Sequence, residues 1–257
     1  MTALITGASS GIGAELARLF AKDGYALLLV ARRAEKLHEL KNELENVCHS
    51  TVFIFIKDLT EHDAAQSVFN FAQEQHISVD VIVNNAGFGD WGFFAESDLS
   101  KQRQMIQLNV TALTELTHLF LPAMIGRRSG RILNVASIAS FMPGAKMSVY
   151  YATKAFVRSF SEALSVELKK TKTGVTVTAL CPGPIKTGFW SRAEAEKSSL
   201  FSHAFFFSCV SVARCGYRAM NRGKPLAVPG LSTCLVVLLI KILPYSLVRN
   251  LIYMVQK

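Results

Sequence analysis

Six apolar runs of five or six residues recur along this chain, at 2–6, 25–30, 52–56, 79–83, 131–136 and 175–180. They are near-continuous rather than alternating, which is how parallel strands covered on both faces read. Between them, apolar residues return every three to four positions and predict helices over 14–22, 34–45, 100–124 and 150–170. Thr60 with Asp63 three residues on predicts a further helix start. Strands alternating with helices in this way constrain the chain to a doubly wound α/β domain, a mostly parallel sheet of about seven strands between two helical layers. Ligands of such folds bind outside the carboxyl ends of the strands. The residues that follow the six runs are therefore where chemistry is expected.

A length of 257 residues suits one large α/β domain or two small ones, and no internal repeat or low-complexity linker divides it. Half the residues are apolar, enough for a sizeable core and too many for a disordered chain. The formal charge of +9 is unevenly placed. Beyond Glu196 there is no acidic residue, while Lys197, Arg214, Arg218, Arg222, Lys224, Lys241, Arg249 and Lys257 are all basic. The remainder is close to neutral. That is not the overall basicity of a nucleic-acid binder, and no zinc finger or aromatic RNA motif is present. The five cysteines, Cys48, Cys181, Cys209, Cys215 and Cys234, are odd in number and show no metal-ligand spacing. Free thiols, a reducing cytoplasm and no metal site are expected. No charged segment with a cleavage site precedes the first run, so no secretory signal is expected.

The first run leads into Gly7-Ala8-Ser9-Ser10-Gly11-Ile12-Gly13 and then a helix. Strand, glycine-rich turn and helix cradle a dinucleotide pyrophosphate, because glycines admit the phosphates to the backbone and the helix start supplies amides and a positive dipole end. The spacing G-x-x-x-G-x-G differs from the general G-x-G-x-x-G fingerprint. The second run ends at Ala31-Arg32-Arg33, about 20 residues on, where an acid would bind the ribose 2′-hydroxyl of NAD. Two arginines in its place suit a 2′-phosphate, and so NADP. The third run ends at Asp58-Leu59-Thr60, the fourth at Asn84-Asn85-Ala86-Gly87, the fifth at Ser137, and the sixth at Cys181-Pro182-Gly183-Pro184-Ile185-Lys186-Thr187. Asn109 lies inside a long helix.

Tyr150 and Lys154 stand four apart at the start of another helix and so share a face. A phenol titrates near ~10 in water and is a poor acid or base at neutral pH. A fixed cation beside it favours the phenolate and should lower that value, the tuning that proton transfer to a carbonyl oxygen needs. Tyr151 also precedes Lys154 but at the wrong spacing, and is discounted.

Together these elements resemble the short-chain dehydrogenases/reductases, over essentially the whole chain to about Gly230. The matching residues are Thr6-Gly7-x-x-x-Gly11-x-Gly13, Asn84-Asn85-Ala86-Gly87, Asn109, Ser137, Tyr150-x-x-x-Lys154 and Pro182-Gly183 with Thr187, in the family's order and at about its spacing. The Ala-Arg-Arg strand end and the Leu-Cys-Pro-Gly-Pro segment look most like the NADP-preferring reductases. The resemblance implies a Rossmann-type catalytic domain over 1–230 with a substrate lid at about 188–210, followed by an apolar basic extension over 231–257. It implies that Tyr150 passes a proton, that Lys154 binds the nicotinamide ribose and lowers the Tyr150 pKa, and that Ser137 polarises the substrate carbonyl. Asn109 would hold a water linking Lys154 to solvent, or simply bridge helix to strand. NADP(H) would lie along Gly7, Ser9, Ser10, Gly11, Ile12, Gly13, Arg32, Arg33, Asp58, Leu59, Asn84, Ala86, Gly87, Tyr150, Lys154, Pro182, Gly183 and Thr187. A homodimer or homotetramer is the implied assembly.

Phe189, Trp190, Phe201, Phe205, Phe206 and Phe207 make the segment after Thr187 strongly aromatic, which argues for a hydrophobic ketone, aldehyde or alcohol as substrate. From Leu226 the chain is apolar with scattered basic residues, but Lys241 and Pro244 cut its longest uncharged run below the ~20 residues of a spanning helix. Two readings of this tail stand. It packs over the cleft or a partner subunit, which is favoured, or it lies in a membrane interface. Two function classes also stand: a working carbonyl reductase, and a nucleotide-binding scaffold or sensor without turnover. A scaffold has no need of Asn109, Ser137, Tyr150 and Lys154 together.

Overall fold

The computed structural model describes residues 1–185 and 207–256, the side chain of Val255 excepted, so Thr187 and most of the expected lid lie outside the described residues. Seven strands form one sheet in the order β3-β2-β1-β4-β5-β6-β7, every neighbouring pair parallel. They are β1 (Thr2–Thr6), β2 (Ala26–Ala31), β3 (Val52–Ile56), β4 (Val81–Asn84), β5 (Gly130–Val135), β6 (Val175–Leu180) and β7 (Leu226–Ala227). This is a Rossmann-type sheet, and its order turns about β1 and β4.

Successive side chains of a strand point to opposite faces, so each apolar run feeds two cores. On one face Ile5, Leu27, Leu29, Val83 and Leu133 meet Leu16 and Phe20 of α1 (Gly11–Lys22), Leu37 and Leu44 of α2 (Ala34–Cys48), and Val212 and Met220 of α7 (Cys209–Asn221). On the other, Leu4, Leu28, Ile82, Ile132 and Val177 meet Val68 of α3 (Ala64–Glu74), Leu116 and Phe120 of α5 (Ala112–Gly126) and Leu168 of α6 (Ser148–Lys170). Two short helices follow β7, α8 (Leu231–Ile242) and α9 (Tyr245–Val255).

Two sequence expectations shift. The helix expected to start at Thr60 starts at Ala64, with Asp63 in the left-handed region (φ 55°). Its cause is local: the Asp58 carboxylate accepts from Thr60 N at 2.9 Å and Thr60 Oγ1 at 2.8 Å, which turns the chain before a helix can begin. The long helix expected over 100–124 runs as α4 (Leu99–Ile106), a π-helical turn (Gln107–Thr111) and α5. By length and composition Leu99–Gly126 could cross a membrane, but Leu113, Leu116, Phe120 and Met124 are buried in the core, which accounts for its hydropathy. The seventh strand of the expected sheet is β7, which lies beyond the six apolar runs.

Candidate active site

The glycine turn is shaped by crowding. Gly7 takes φ +63°, and a Cβ there would come 2.9 Å from Ala86 Cα. A Cβ on Gly13 would come 2.5 Å from the Gly7 carbonyl oxygen, well inside contact distance. The turn is fastened to the end of β4: Thr6 Oγ1 accepts from Asn85 N and Ala86 N, each at 3.0 Å, while Asn85 Nδ2 donates to Thr6 O at 2.9 Å and Gly7 O at 3.2 Å. The N-terminus of α1 follows, and Ser10 at its cap makes no side-chain bond into it. Gly7, Ser9, Ser10, Gly11 and Ile12 thereby form one wall of a cavity of about 530 Å³.

Both arginines stand at the rim beside this turn. Arg33 Nη2 donates to Ser9 Oγ at 3.0 Å and Ser10 Oγ at 2.7 Å; Arg32 Nη1 pairs with Asp58 Oδ2 at 3.0 Å. Partial burial works to raise the Asp58 pKa, but the bonds from Thr60 and the Arg32 guanidinium win and hold it below the usual carboxylate range. Arg32, Arg33, Asp58 and Leu59 all line the cavity.

At its other end the cavity meets the carboxyl end of β5 and the first turns of α6. Ser137 caps a 3₁₀ turn (Ile138–Phe141), its Oγ accepting from Ala139 N at 3.1 Å, and its side chain also bonds Tyr150. Lys154 is buried, and its Nζ donates to Val135 O at 2.8 Å and lies 5.9 Å from the centre of the Tyr150 ring. Burial outweighs the neighbouring Lys154 cation in setting the Tyr150 pKa. Burial pushes that phenol up to about 12, only partly opposed by the Ser137 bond, and burial pulls Lys154 itself down to about 8. Low polarity penalises both charged forms more than proximity helps either.

Asn109 sits in the π-helical turn. Its Nδ2 donates to Phe88 O at 3.0 Å and Thr153 Oγ1 at 3.1 Å, its Oδ1 accepts from Phe88 N at 3.1 Å, and Thr153 Oγ1 donates to Tyr150 O at 2.7 Å. It thus clamps the loop after β4 and ties it to the first turn of α6. Asn84 is not at the cavity: its Nδ2 is buried against Thr117 Oγ1 (3.1 Å) and Asn134 Oδ1 (2.9 Å). Strand alternation turns it into the core, and Asn85, Ala86 and Gly87 line the cavity in its place. Pro182 and Gly183 line it too, with Ile138 N donating to Pro182 O at 2.8 Å.

Sequence reasoning passed over several walls. Phe88, Leu108, Met147 and Ile185 add apolar surface to the cavity wall. Tyr151 was discounted by spacing, yet it lines the cavity, meets Tyr150 edge-on at 6.1 Å and accepts a 3.0 Å bond from Nε2 of the buried Gln256. Only the pair Tyr150 and Tyr151 could have suggested it, since the partner lies 105 residues away. Phe207 is the one residue of the aromatic segment that is described. It forms a bridge with Ile185 and lies against Gly230.

Comparison with known proteins agrees with this geometry. The chain is 37% identical over 189 residues to the serine 3-dehydrogenase of Agrobacterium fabrum, 73% of each chain being covered. A short-chain dehydrogenase from Sphingobium yanoikuyae in complex with NADPH superposes with a TM-score of 0.83 at 32% identity, over 92% of this chain and 91% of that one. The bulky-bulky ketone specific alcohol dehydrogenase from Comamonas testosteroni does so with a TM-score of 0.79 at 30% identity, over 90% and 86%. Residues 1–198 match the model of the short chain dehydrogenase family, and with the glycine turn, the parallel sheet and the shared cavity all in place, this chain belongs to that family of oxidoreductases.

Proposed function

We propose that this protein interconverts a hydrophobic ketone or aldehyde and its alcohol using NADP(H), with Tyr150 passing the proton. The observation that carries the reading is one cavity with a glycine turn at one end and Ser137, Tyr150 and Lys154 at the other. The turn fits a pyrophosphate, since Gly7, Ser9, Ser10, Gly11 and Ile12 line the cavity and a helix start adjoins them. Asp58 and Leu59 would flank the adenine, and Ala86 and Gly87 the adenosine ribose. Pro182, Gly183 and Thr187 would adjoin the nicotinamide, which supplies the hydride when bound.

The rest falls to the chain's own groups. Ser137 orients the substrate oxygen. Tyr150, kept protonated through neutral pH by its burial, gives its proton to the alkoxide that develops, a far stronger base than a phenolate. Lys154 binds the nicotinamide ribose hydroxyls, and Asn109 holds the surrounding loop and the water path to it. Phe88, Leu108, Met147 and Ile185 favour an apolar substrate, and the ketone specificity of the Comamonas neighbour supports the same class. A catalytically silent scaffold would leave the Ser137, Tyr150 and Lys154 cluster without a use. The reading includes a cytoplasmic homodimer or homotetramer, for which Ile106, Phe156 and Val166 offer exposed apolar contacts. Screening hydrophobic ketones and aldehydes with NADPH and NADH, followed by nicotinamide absorbance, tests it. No oxidation of either cofactor across the panel would overturn it.

The choice of NADP rests on Arg32 and Arg33. A charge-assisted hydrogen bond contributes about 1.5–3 kcal/mol, roughly tenfold to a hundredfold in affinity. Arg32→Ala and Arg33→Ala are each expected to weaken NADPH binding by about that factor and to leave NADH nearly unchanged. Titrations of both cofactors check this, and equal affinities for the two in the unaltered protein would sink the idea.

A further inference from the structure

The two helices after β7 are apolar on both their withdrawn and their exposed faces. Thr233, Val237 and Ile240 on α8, and Val248, Ile252 and Gln256 on and just after α9, recur at helical spacing and are the positions withdrawn from solvent. Helix α8 leans on the 3₁₀ turn after Ser137, and Gln256 after α9 reaches Tyr151. A helix that packs by one stripe and faces water with the other carries polar residues outside. Here the outside carries Leu231, Leu235, Val236, Leu238, Leu239, Ile242, Tyr245, Leu247, Leu251 and Met254. Leu231, Ile242 and Tyr245 are 90%, 70% and 67% exposed. Contiguous exposed apolar surface of this kind marks a binding face.

Charge and length decide what it binds. Lys241 lies on α8 and Arg249 on α9, Lys241 shares the Phe141 ring with Arg158, and the chain has no acidic residue after Glu196. Two copies meeting through this face would set like charges against each other, which costs affinity. An anionic surface would complement it. With 12 and 11 residues the helices are each under ~20 Å long, too short to span a hydrocarbon core of about 30 Å. A short apolar helix pair with cations and no anions is suited to lying in a headgroup layer. The loop after β4 has the same character, with Phe93 and Phe94 exposed and the Lys146 ammonium over the Trp91 and Phe93 rings.

We propose that helices α8 and α9 seat this protein on an anionic lipid surface, their exposed apolar residues in the acyl boundary and Lys241 and Arg249 at lipid phosphates. Their withdrawn residues keep their contacts with the catalytic domain, so the cavity is held beside the bilayer in which a hydrophobic carbonyl would be dissolved. Lipid binding itself does not rest on the proposed activity and is measured without substrate or cofactor.

The test is co-sedimentation of the full chain with vesicles of phosphatidylcholine alone or mixed equally with phosphatidylglycerol. Binding to the mixed vesicles at low salt is expected, weakened severalfold in high salt because screening shortens the reach of surface charge. Leu235→Ser/Leu239→Ser and Lys241→Glu/Arg249→Glu are each expected to cut it at least tenfold. All four side chains are exposed, and unchanged thermal melting by circular dichroism confirms that the variants fold. Absence of sedimentation with the mixed vesicles at low salt would overturn the proposal. So would binding indifferent to both double substitutions, or a dimer that Leu235→Ser/Leu239→Ser dissociates and vesicles do not.

Discussion

Tyr150→Phe is expected to lower kcat by roughly 10²–10⁴-fold, the range that a positioned proton donor contributes, while NADPH affinity stays nearly intact. The substitution removes one oxygen. It keeps the ring that meets Tyr151 edge-on at 6.1 Å, and the amide network joining Phe88, Asn109 and Thr153 does not involve that oxygen. Binding and chemistry should therefore separate cleanly. Steady-state rates with any substrate found by the screen, alongside NADPH titration by fluorescence, give the two readouts. Retention of most of the activity would show that another group carries the proton.

Lys154 supports a prediction of comparable size in stability. Its ammonium is buried and its pKa is drawn down from an ordinary 10.5 to about 8, a penalty on the charged form of about 3 kcal/mol at ~1.4 kcal/mol per unit. Between about pH 8 and 10.5 the unfolded chain still holds this proton and the folded chain has released it. Stability must then rise with pH across that window, because the unfolded state binds more protons there. Lys154→Met has no such proton. Below pH 8 it escapes the penalty but loses the bond to Val135 O, worth about 1–3 kcal/mol when the partner is left unpaired, so near neutrality the two proteins should be similar. From pH 8 to 10.5 the native protein should gain about 3 kcal/mol on the variant. Urea unfolding of both proteins without nucleotide measures the difference. Parallel pH curves would mean that Lys154 titrates normally. Turnover should be lost in the variant at every pH, so a residue that strains the free fold is retained for its chemistry.

Much of this was legible in the chain, for identifiable reasons. The six apolar runs had to be buried strands because both faces of a parallel strand are covered. Gly7 and Gly13 could be read as a phosphate turn because their missing side chains are a property of the sequence itself. What escaped depended on distance or on competition between forces. The strand Leu226–Ala227 is too short to carry a period. The π-helical turn has the composition of the helix around it, and Asp58 capturing Thr60 cannot be inferred from helix propensity. Asn84 and Asn85 are indistinguishable as letters, and only the pleat sends one into the core and the other to the turn. The pKa of Tyr150 came out opposite to the expectation because spacing reveals the nearby cation and not how deeply both groups are buried.

The bonds that fasten the glycine turn have a bearing on how the chain is made. Thr6 receives its partners Asn85 and Ala86 across 79 and 80 residues, and β1 cannot pair with β4 until that stretch exists. At about 5–20 residues per second, synthesis leaves Gly7 without that wall for roughly 4–16 s. Closing a loop of that length costs about 4 kcal/mol in chain entropy, which the two strands and their cores must outweigh together. The phosphate seat is thus a late product of assembly rather than a local motif that folds on emergence. A nascent chain halted before Asn85 carries every glycine of the turn and still lacks the surface that shapes it.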